Sequence, residues 1–450
     1  MTSTADKRSG KMSVDALPAV RRPTFYRLEN TVQPYDWGSM SAIQDLLGVE
    51  PDGRPAAELW MGAHPLAPSR VVPDGAPRLG EAARLVGAAT SCTTLADLVR
   101  ADPVAVLGQR VLDQYGPRLP YLLKVLAADR ALSLQVHPRP HLARAGFNRE
   151  NQQSVARDSP LRSFHDDQHK PEMVVAVSRF EGLSGFRRPA RIIELLDGLD
   201  GDLVARMRAA LLARPTEAGV REAFTLALHA RSVPDVVADL ARTVASVRDR
   251  VERGAVPTSG GPRRTSRRAD ATVLALAEQH PGDPGAVVSL MLNRVTLEPG
   301  ESMFVPSGHV HAYLSGCAVE VMASSDNVLR AGLTSKLVDV DALLECATCT
   351  PGPAARPRLV DDGFGLVTYR PPVAEFALRL GQVSGGTPVP LPDAGPRVVL
   401  CLDGAVTLVG GSGEGAAETR LARGESVFVP HAAGALTVQG EGRVVVAYVP

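Results

Sequence analysis

Aromatic residues are scarce, 4% of the chain, so any hydrophobic core must be built mostly from Val, Leu and Ala. A net excess of either charge is missing too: 49 Lys and Arg balance 49 Asp and Glu. A chain with no net charge lacks the clustered basic footprint that nucleic acid or an anionic membrane requires of a partner. No apolar run approaches the ~18–20 residues of a membrane span. Residues 1–22 are polar, with no hydrophobic segment of the kind a secretory signal carries, and are expected to form a disordered tail. Five cysteines, Cys92, Cys317, Cys346, Cys349 and Cys401, are too few and too scattered for a disulfide framework. Cys346 and Cys349 have redox or zinc spacing but no second pair to complete a site. No phosphate-cradling glycine loop of the nucleotide-binding kinds is present. These absences point to a cytoplasmic protein. Lysine is the last rarity: only Lys7, Lys11, Lys124, Lys170 and Lys336 occur, beside 44 arginines. Where arginine serves as the generic cation, a lysine within the folded part suggests a specific task.

What is present gives the organisation. The 450 residues predict about three domains. Short strand-like runs, among them 122–126 and 132–136, alternate with helical stretches such as 93–106 over residues 23–187. From 189 to 279 the apolar period becomes helical, in 191–196, 203–212, 220–229 and 233–251, interrupted by an arginine-, glycine- and proline-rich stretch at 253–268 that reads as a flexible loop. Strands return after 287. An internal repeat lies in that last part: Leu297-Glu-Pro-Gly-Glu-Ser-Met-Phe-Val-Pro306 matches Leu421-Ala-Arg-Gly-Glu-Ser-Val-Phe-Val-Pro430. Each copy predicts strand, glycine turn and strand, the unit of antiparallel jelly-roll barrels of the cupin type. The expected architecture is mainly β, with two such barrels: a discontinuous one at 23–187 plus 287–350, a helical insert at 188–286, and a C-terminal one at 351–450. Eleven residues beyond the repeat's glycine, the first copy has His311 and the second Ala435, so only the first can offer a ligand there.

Six of the ten histidines fall in three short segments: His137 and His141, His165 and His169, His309 and His311. Residues i and i+2 of a strand share a face, so Gln135 and His137 aim the same way. Glu172 follows His169-Lys-Pro. Two imidazoles, a carboxylate and an amide oxygen make a four-coordinate set, Gln135, His137, Glu172 and His311. His309, two residues before His311, competes for that last position. With one anionic ligand a divalent ion keeps net positive charge, which suits Lewis-acid work.

The motifs that contain these residues resemble the type I mannose-6-phosphate isomerase (phosphomannose isomerase) family. They are Tyr35-Asp-Trp-Gly-Ser39, Glu58-Leu-Trp-Met-Gly-Ala-His-Pro65, Leu132-Ser-Leu-Gln-Val-His-Pro138, Asp167-Gln-His-Lys-Pro-Glu-Met173, Gly185-Phe-Arg187, His311-Ala-Tyr-Leu-Ser-Gly316 and Ser325-Asp-Asn-Val-Leu-Arg-Ala-Gly-Leu-Thr-Ser-Lys336. They occur in family order from about residue 23 to 340. Gln168 stands where the family more often has Asn, and the turn before His311 is also atypical; neither removes a ligand. The resemblance implies one zinc ion per chain on Gln135, His137, Glu172 and His311. It also implies reversible conversion of mannose 6-phosphate to fructose 6-phosphate through an enediol or enediolate.

That reaction needs a base, an oxyanion stabiliser and cations for the phosphate. Arg330 resembles the family's active-site arginine, whose forked charge suits two adjacent oxygens. Lys124 and Lys336 are expected to bind substrate, at the phosphate or a sugar oxygen, with Ser133 as a hydrogen-bond donor to the phosphate. Glu320 and Lys170 lead as candidates for the base, with His169 and Asp326 as rivals. Trp60 reads as core. Two other functions compete: a cupin oxygenase with iron on two histidines and a carboxylate, and a non-catalytic sugar-phosphate-binding cupin. A sugar phosphate is the expected partner, and a monomer or weak homo-oligomer the expected state.

Overall fold

The computed structural model describes residues 23–72, 93–255, 264–411 and 416–450. The expected tail, 1–22, and the middle of the arginine-rich stretch, 256–263, lie outside them. Among the described residues the chain forms two ten-stranded sheets, and the strand order of neither closes on itself.

Alternation of period two decides which side chains reach the site. In the strand Tyr121–Ala128 every residue is buried. Tyr121, Leu123, Val125 and Ala127 enter a core shared with the second sheet, beside Leu378, Val398 and Val445. Leu122, Leu126 and Ala128 turn to the opposite side, and Lys124 goes with them. The long strand His311–Ala323 joins the parts of the first sheet. Its later half pairs with Tyr121–Ala128 and Glu172–Ala176; its beginning pairs with Gln135 and with Phe180–Phe186.

The second sheet holds the strands from Arg358–Asp361 to Leu436–Tyr448, together with two from the N-terminal part. Tyr26–Glu29 pairs with Ser426–Val429, and Arg70–Val72 pairs with Tyr26–Glu29. Two strands of the 23–187 stretch thus pair within the sheet of the C-terminal strands. Their short runs carry no local mark of which distant sheet they join. The repeat keeps its geometry in both copies. Leu292–Leu297 and Ser302–Val305 flank Gly300 at φ 88°, while Ala417–Ala422 and Ser426–Val429 flank Gly424 at φ 81°. Both turns need the left-handed backbone that glycine adopts without strain.

Helices fill the connection from Phe180–Phe186 to Leu292–Leu297: Pro189–Leu196, Asp202–Ala213, Glu217–Ala230, Val236–Ala255 and Arg264–Gln279 lead it. Helix therefore runs into the 253–268 stretch from both ends, where a flexible loop was expected, and arginine is a good helix former. The expected helix at 93–106 is two, Leu95–Ala101 and Pro103–Leu107, because Pro103 cannot continue the first. The large helices pack on the back of the first sheet, where Phe186, Phe224, Leu134, Val136, Leu329 and Ala331 share one core. Phe224 meets Phe186 edge-on at 5.3 Å. Phe224→Ala should cost about 3–5 kcal/mol, read as a lower denaturant midpoint with the same slope.

Candidate active site

With Leu134 and Val136 under the helices, Gln135 turns to the opposite face, and Leu329 and Ala331 do the same for Arg330. Pairing then lines up a row across three strands, because His311 and Arg330 each face Gln135. A second row crosses the sheet beside it: Glu320 faces Lys124, which faces Trp60.

His137, Glu172 and His311 come together, each at most 4% exposed, with one potential ligand atom from each lying within 4.8 Å of the others. His137 Nε2 is 3.1 Å from Glu172 Oε1, and His311 Nε2 is 3.3 Å from Glu172 Oε2. The His137 ring donates from Nδ1 to the Asn327 carbonyl at 2.7 Å, which leaves Nε2 as the lone-pair nitrogen. That Nε2 is buried and has no partner in hydrogen-bond geometry. Burial pulls the His137 imidazole down to about 4 against the pull of Glu172, so the ring is neutral at pH 7, as a ligand must be. Burial opposes ionisation of Glu172, yet its carboxyl is held well below the usual range, with the Lys170 charge among the groups that favour the ionised form. Lys170 Nζ is 3.3 Å from Glu172 Oε1. Gln135 uses its amide nitrogen on Ser133 Oγ at 3.2 Å, so its oxygen is the atom that would serve as a ligand. An orphaned buried nitrogen facing a second imidazole and an ionised carboxylate fits a divalent metal of the zinc kind. His309 points elsewhere: its Nδ1 lies near Gly185, and its carbonyl takes His311 Nδ1 at 3.1 Å.

Beside the ligands lies a buried chain of polar groups. Tyr313 hydroxyl lies 2.9 Å from Glu320 Oε1 and 3.3 Å from Glu172 Oε2. Lys124 Nζ is 3.2 Å from Glu320 Oε2 and 3.4 Å from Glu58 Oε1, and Trp60 Nε1 donates to Glu58 Oε2 at 2.7 Å. Burial raises the Glu320 carboxyl above its ordinary value, and the opposing pull of Lys124 does not cancel the effect. Burial works against the Lys124 charge, yet Glu58 and Glu320 outweigh it and raise its pKa. Lys124, expected at a phosphate or a sugar oxygen, thus has its charge taken up by two carboxylates.

A cleft of about 530 Å³ opens above this layer, lined by Lys124, Ser133, Gln135, Lys170, Asp326, Arg330 and Lys336 among others. A chamber of about 50 Å³ beneath it shares Glu58, Lys124, Gln135 and Lys170 with the cleft and adds Glu172, His311, Tyr313 and Glu320. Gln279 and His280, at the end of the helical run, form part of the cleft wall, and Gln279 Oε1 accepts from Ala131 N at 2.9 Å. One expected site residue is not brought in. His169 turns away from the cleft and donates to Glu375 Oε1 at 2.7 Å in a separate small depression. Sequence reading overlooked several others. Tyr313 is two residues from His311 on the same strand, so the alternation that paired Gln135 with His137 would have found it. Glu58 and His64, though within a quoted motif, were given no role, and neither was Arg130. His64 Nε2 lies 3.4 Å from Asp326 Oδ1, and Arg130 lines the cleft. Trp60 is core, as expected, and also forms part of the cleft wall.

Comparison with known proteins shows one family. Residues 25–189 match the phosphomannose isomerase type I catalytic domain. The mannose-6-phosphate isomerase of Escherichia coli K12 is 35% identical over 94% of this chain and 99% of its own. That of the rat is 31% identical over 90% and 93%. A variant phosphomannose isomerase from Salmonella typhimurium superposes with a TM-score of 0.80 at 31% identity, covering 95% of this chain and 100% of that one. A zinc-bound mannose 6-phosphate isomerase superposes at 0.78 and 30% identity, with the same coverage.

Proposed function

The chain belongs to the type I phosphomannose isomerase family, and from that membership we propose that it interconverts mannose 6-phosphate and fructose 6-phosphate, with zinc held by Gln135, His137, Glu172 and His311. The observation that carries this reading is the orphaned, buried His137 Nε2 set against Glu172 and His311, the latter two lining the chamber that adjoins a cleft rich in cations. We also read the two sheets as two cupin-type barrels, with the helical run as an insert and the C-terminal unit, which has Ala435 where the first has His311, as the one without metal. The strand–turn–strand repeat supports that reading.

Bound at those four atoms, zinc would supply Lewis-acid polarisation of the sugar oxygens. The chain's own residues would do the rest. The phosphate would lie in the outer cleft near Lys336, Arg130 and Ser133, because Lys124 and Lys170 have carboxylate partners and cannot offer a full charge. Arg330, in the row with Gln135, would face the developing enediolate, a role for which a permanently charged fork is suited. Glu320 would take the C2 proton and return it at C1. Its burial strengthens it as a base, while Tyr313 and Lys124 each hold one of its oxygens in place. Lys170, which reaches both cleft and chamber, is the alternative proton carrier, and Asp326 lines the cleft beside it.

The phosphate assignment has its own test. Lys336→Ala should raise KM about tenfold, a loss of ~1.4 kcal/mol, and leave kcat nearly unchanged, because a remote cation binds ground state and transition state alike. An unchanged KM would remove Lys336 from that subsite. The function itself is tested by the appearance of fructose 6-phosphate from mannose 6-phosphate in a coupled assay.

A further inference from the structure

The segment that leads into Glu172 is fastened from outside, residue by residue. Gln168 receives Arg118 on its side-chain oxygen at 3.0 Å, and Asn327 Nδ2 on its carbonyl at 2.8 Å. His169 Nε2 donates to Glu375 Oε1 at 2.7 Å. The Pro171 carbonyl accepts from Ala323 N at 3.1 Å. Only Lys170 of these four side chains lines the inner chamber, next to Glu172.

Glu375 is the odd member, because it comes from the other sheet. It sits between the strands Leu366–Arg370 and Ala377–Val383, next to Phe376, which is fully buried in the core shared by the two sheets. Its second oxygen takes Ala374 N at 3.1 Å, so the carboxylate is oriented from its own side as well. Tyr115, Pro120 and Ser324 complete the depression around the pair. Both partners are largely shielded, with 22% and 17% of their side chains exposed, which is where such a hydrogen bond holds a geometry firmly.

Resting on the isomerase reading above, we propose that Glu375 is a positioning residue: from the C-terminal sheet it anchors His169 on the outer side of the segment and so keeps Lys170 turned inward beside Glu172. Lys170 precedes Pro171, which biases its backbone toward the extended region, and neighbouring side chains of an extended pair leave on opposite faces, so fixing His169 outward favours Lys170 inward. This gives the metal-free unit a part in the reaction. His169 then acts through the anchor and touches no substrate.

The test uses the full-length, zinc-loaded protein and the variants Glu375→Ala, Glu375→Gln, His169→Asn and the double variant Glu375→Ala with His169→Asn. Turnover is measured together with hydrogen exchange of the backbone amides at 168–172. Glu375→Ala should lower kcat by about 10- to 100-fold, the scale of a misplaced reacting group. It should also speed exchange at 168–172 and leave Tyr121–Ala128 as protected as before. Glu375→Gln keeps an acceptor at the same place and should restore both. The double variant should be no worse than the worse single one, since both break one contact. Unchanged exchange in Glu375→Ala would overturn the proposal. So would a Glu375→Gln variant as impaired as the alanine, or a His169→Asn loss far beyond that of Glu375→Ala, which would put the imidazole on the substrate. A wild type inert toward mannose 6-phosphate would refute the isomerase reading alone, while the exchange data would still decide whether Glu375 holds the segment.

Discussion

Replacing Glu320 with Gln should lower kcat for mannose 6-phosphate by about 10²–10⁴ and change KM little, the size of effect expected when a general base is lost. The substitution keeps the shape and an acceptor for the Tyr313 hydroxyl, so packing changes little. It removes the proton acceptor and leaves Lys124 with Glu58 as its only carboxylate among the two it now contacts. Part of any loss could come from that altered lysine, so the matching Glu58→Gln variant belongs beside it. Glu58 shares Lys124 but lies outside the Tyr313 contact, and its loss should cost far less than that of Glu320. A Glu320→Gln enzyme with less than about tenfold loss would remove Glu320 from the base's role and move Lys170 into it.

His311→Ala should abolish zinc retention and, with it, turnover. Outer-shell partners of a metal typically contribute 10- to 100-fold to affinity, so deleting a direct ligand should weaken binding by more than about 100-fold. The fold should persist, because His311 lies at one end of a thirteen-residue strand whose other end is held by two neighbouring strands. The checks are zinc content after dialysis against a chelator and the circular dichroism of the variant. If the variant kept stoichiometric zinc, the ligand set would be wrong, and His309, the nearest other imidazole in sequence, would be the first replacement to examine.

Period-two alternation made much of the site legible in the sequence. Alternation paired Gln135 with His137, the internal repeat pointed to His311, and Arg330 came from the motif resemblance; in the fold Arg330 lies between two core residues and faces Gln135. The same rule reaches Tyr313 but was not carried two residues beyond His311. What alternation cannot give is the choice between faces. In Gln168–Pro171 the inward residue is Lys170, and His169 goes outward because Glu375, more than two hundred residues away, is there to receive it. Likewise nothing local told that Lys124 would meet two carboxylates, or that Tyr26–Glu29 would pair with Ser426–Val429, since both are contacts made only after the chain has folded. The arginine-rich stretch misled in the other direction: its composition read as loop, while helix propensity carried Val236–Ala255 into it.

The most direct test of the central claim is a coupled assay for fructose 6-phosphate formed from mannose 6-phosphate. It compares the protein as purified, after stripping with chelator, and after restoration with zinc. The account predicts activity that disappears on stripping and returns with one zinc per chain. Zinc-loaded protein that is folded yet makes no fructose 6-phosphate would contradict it.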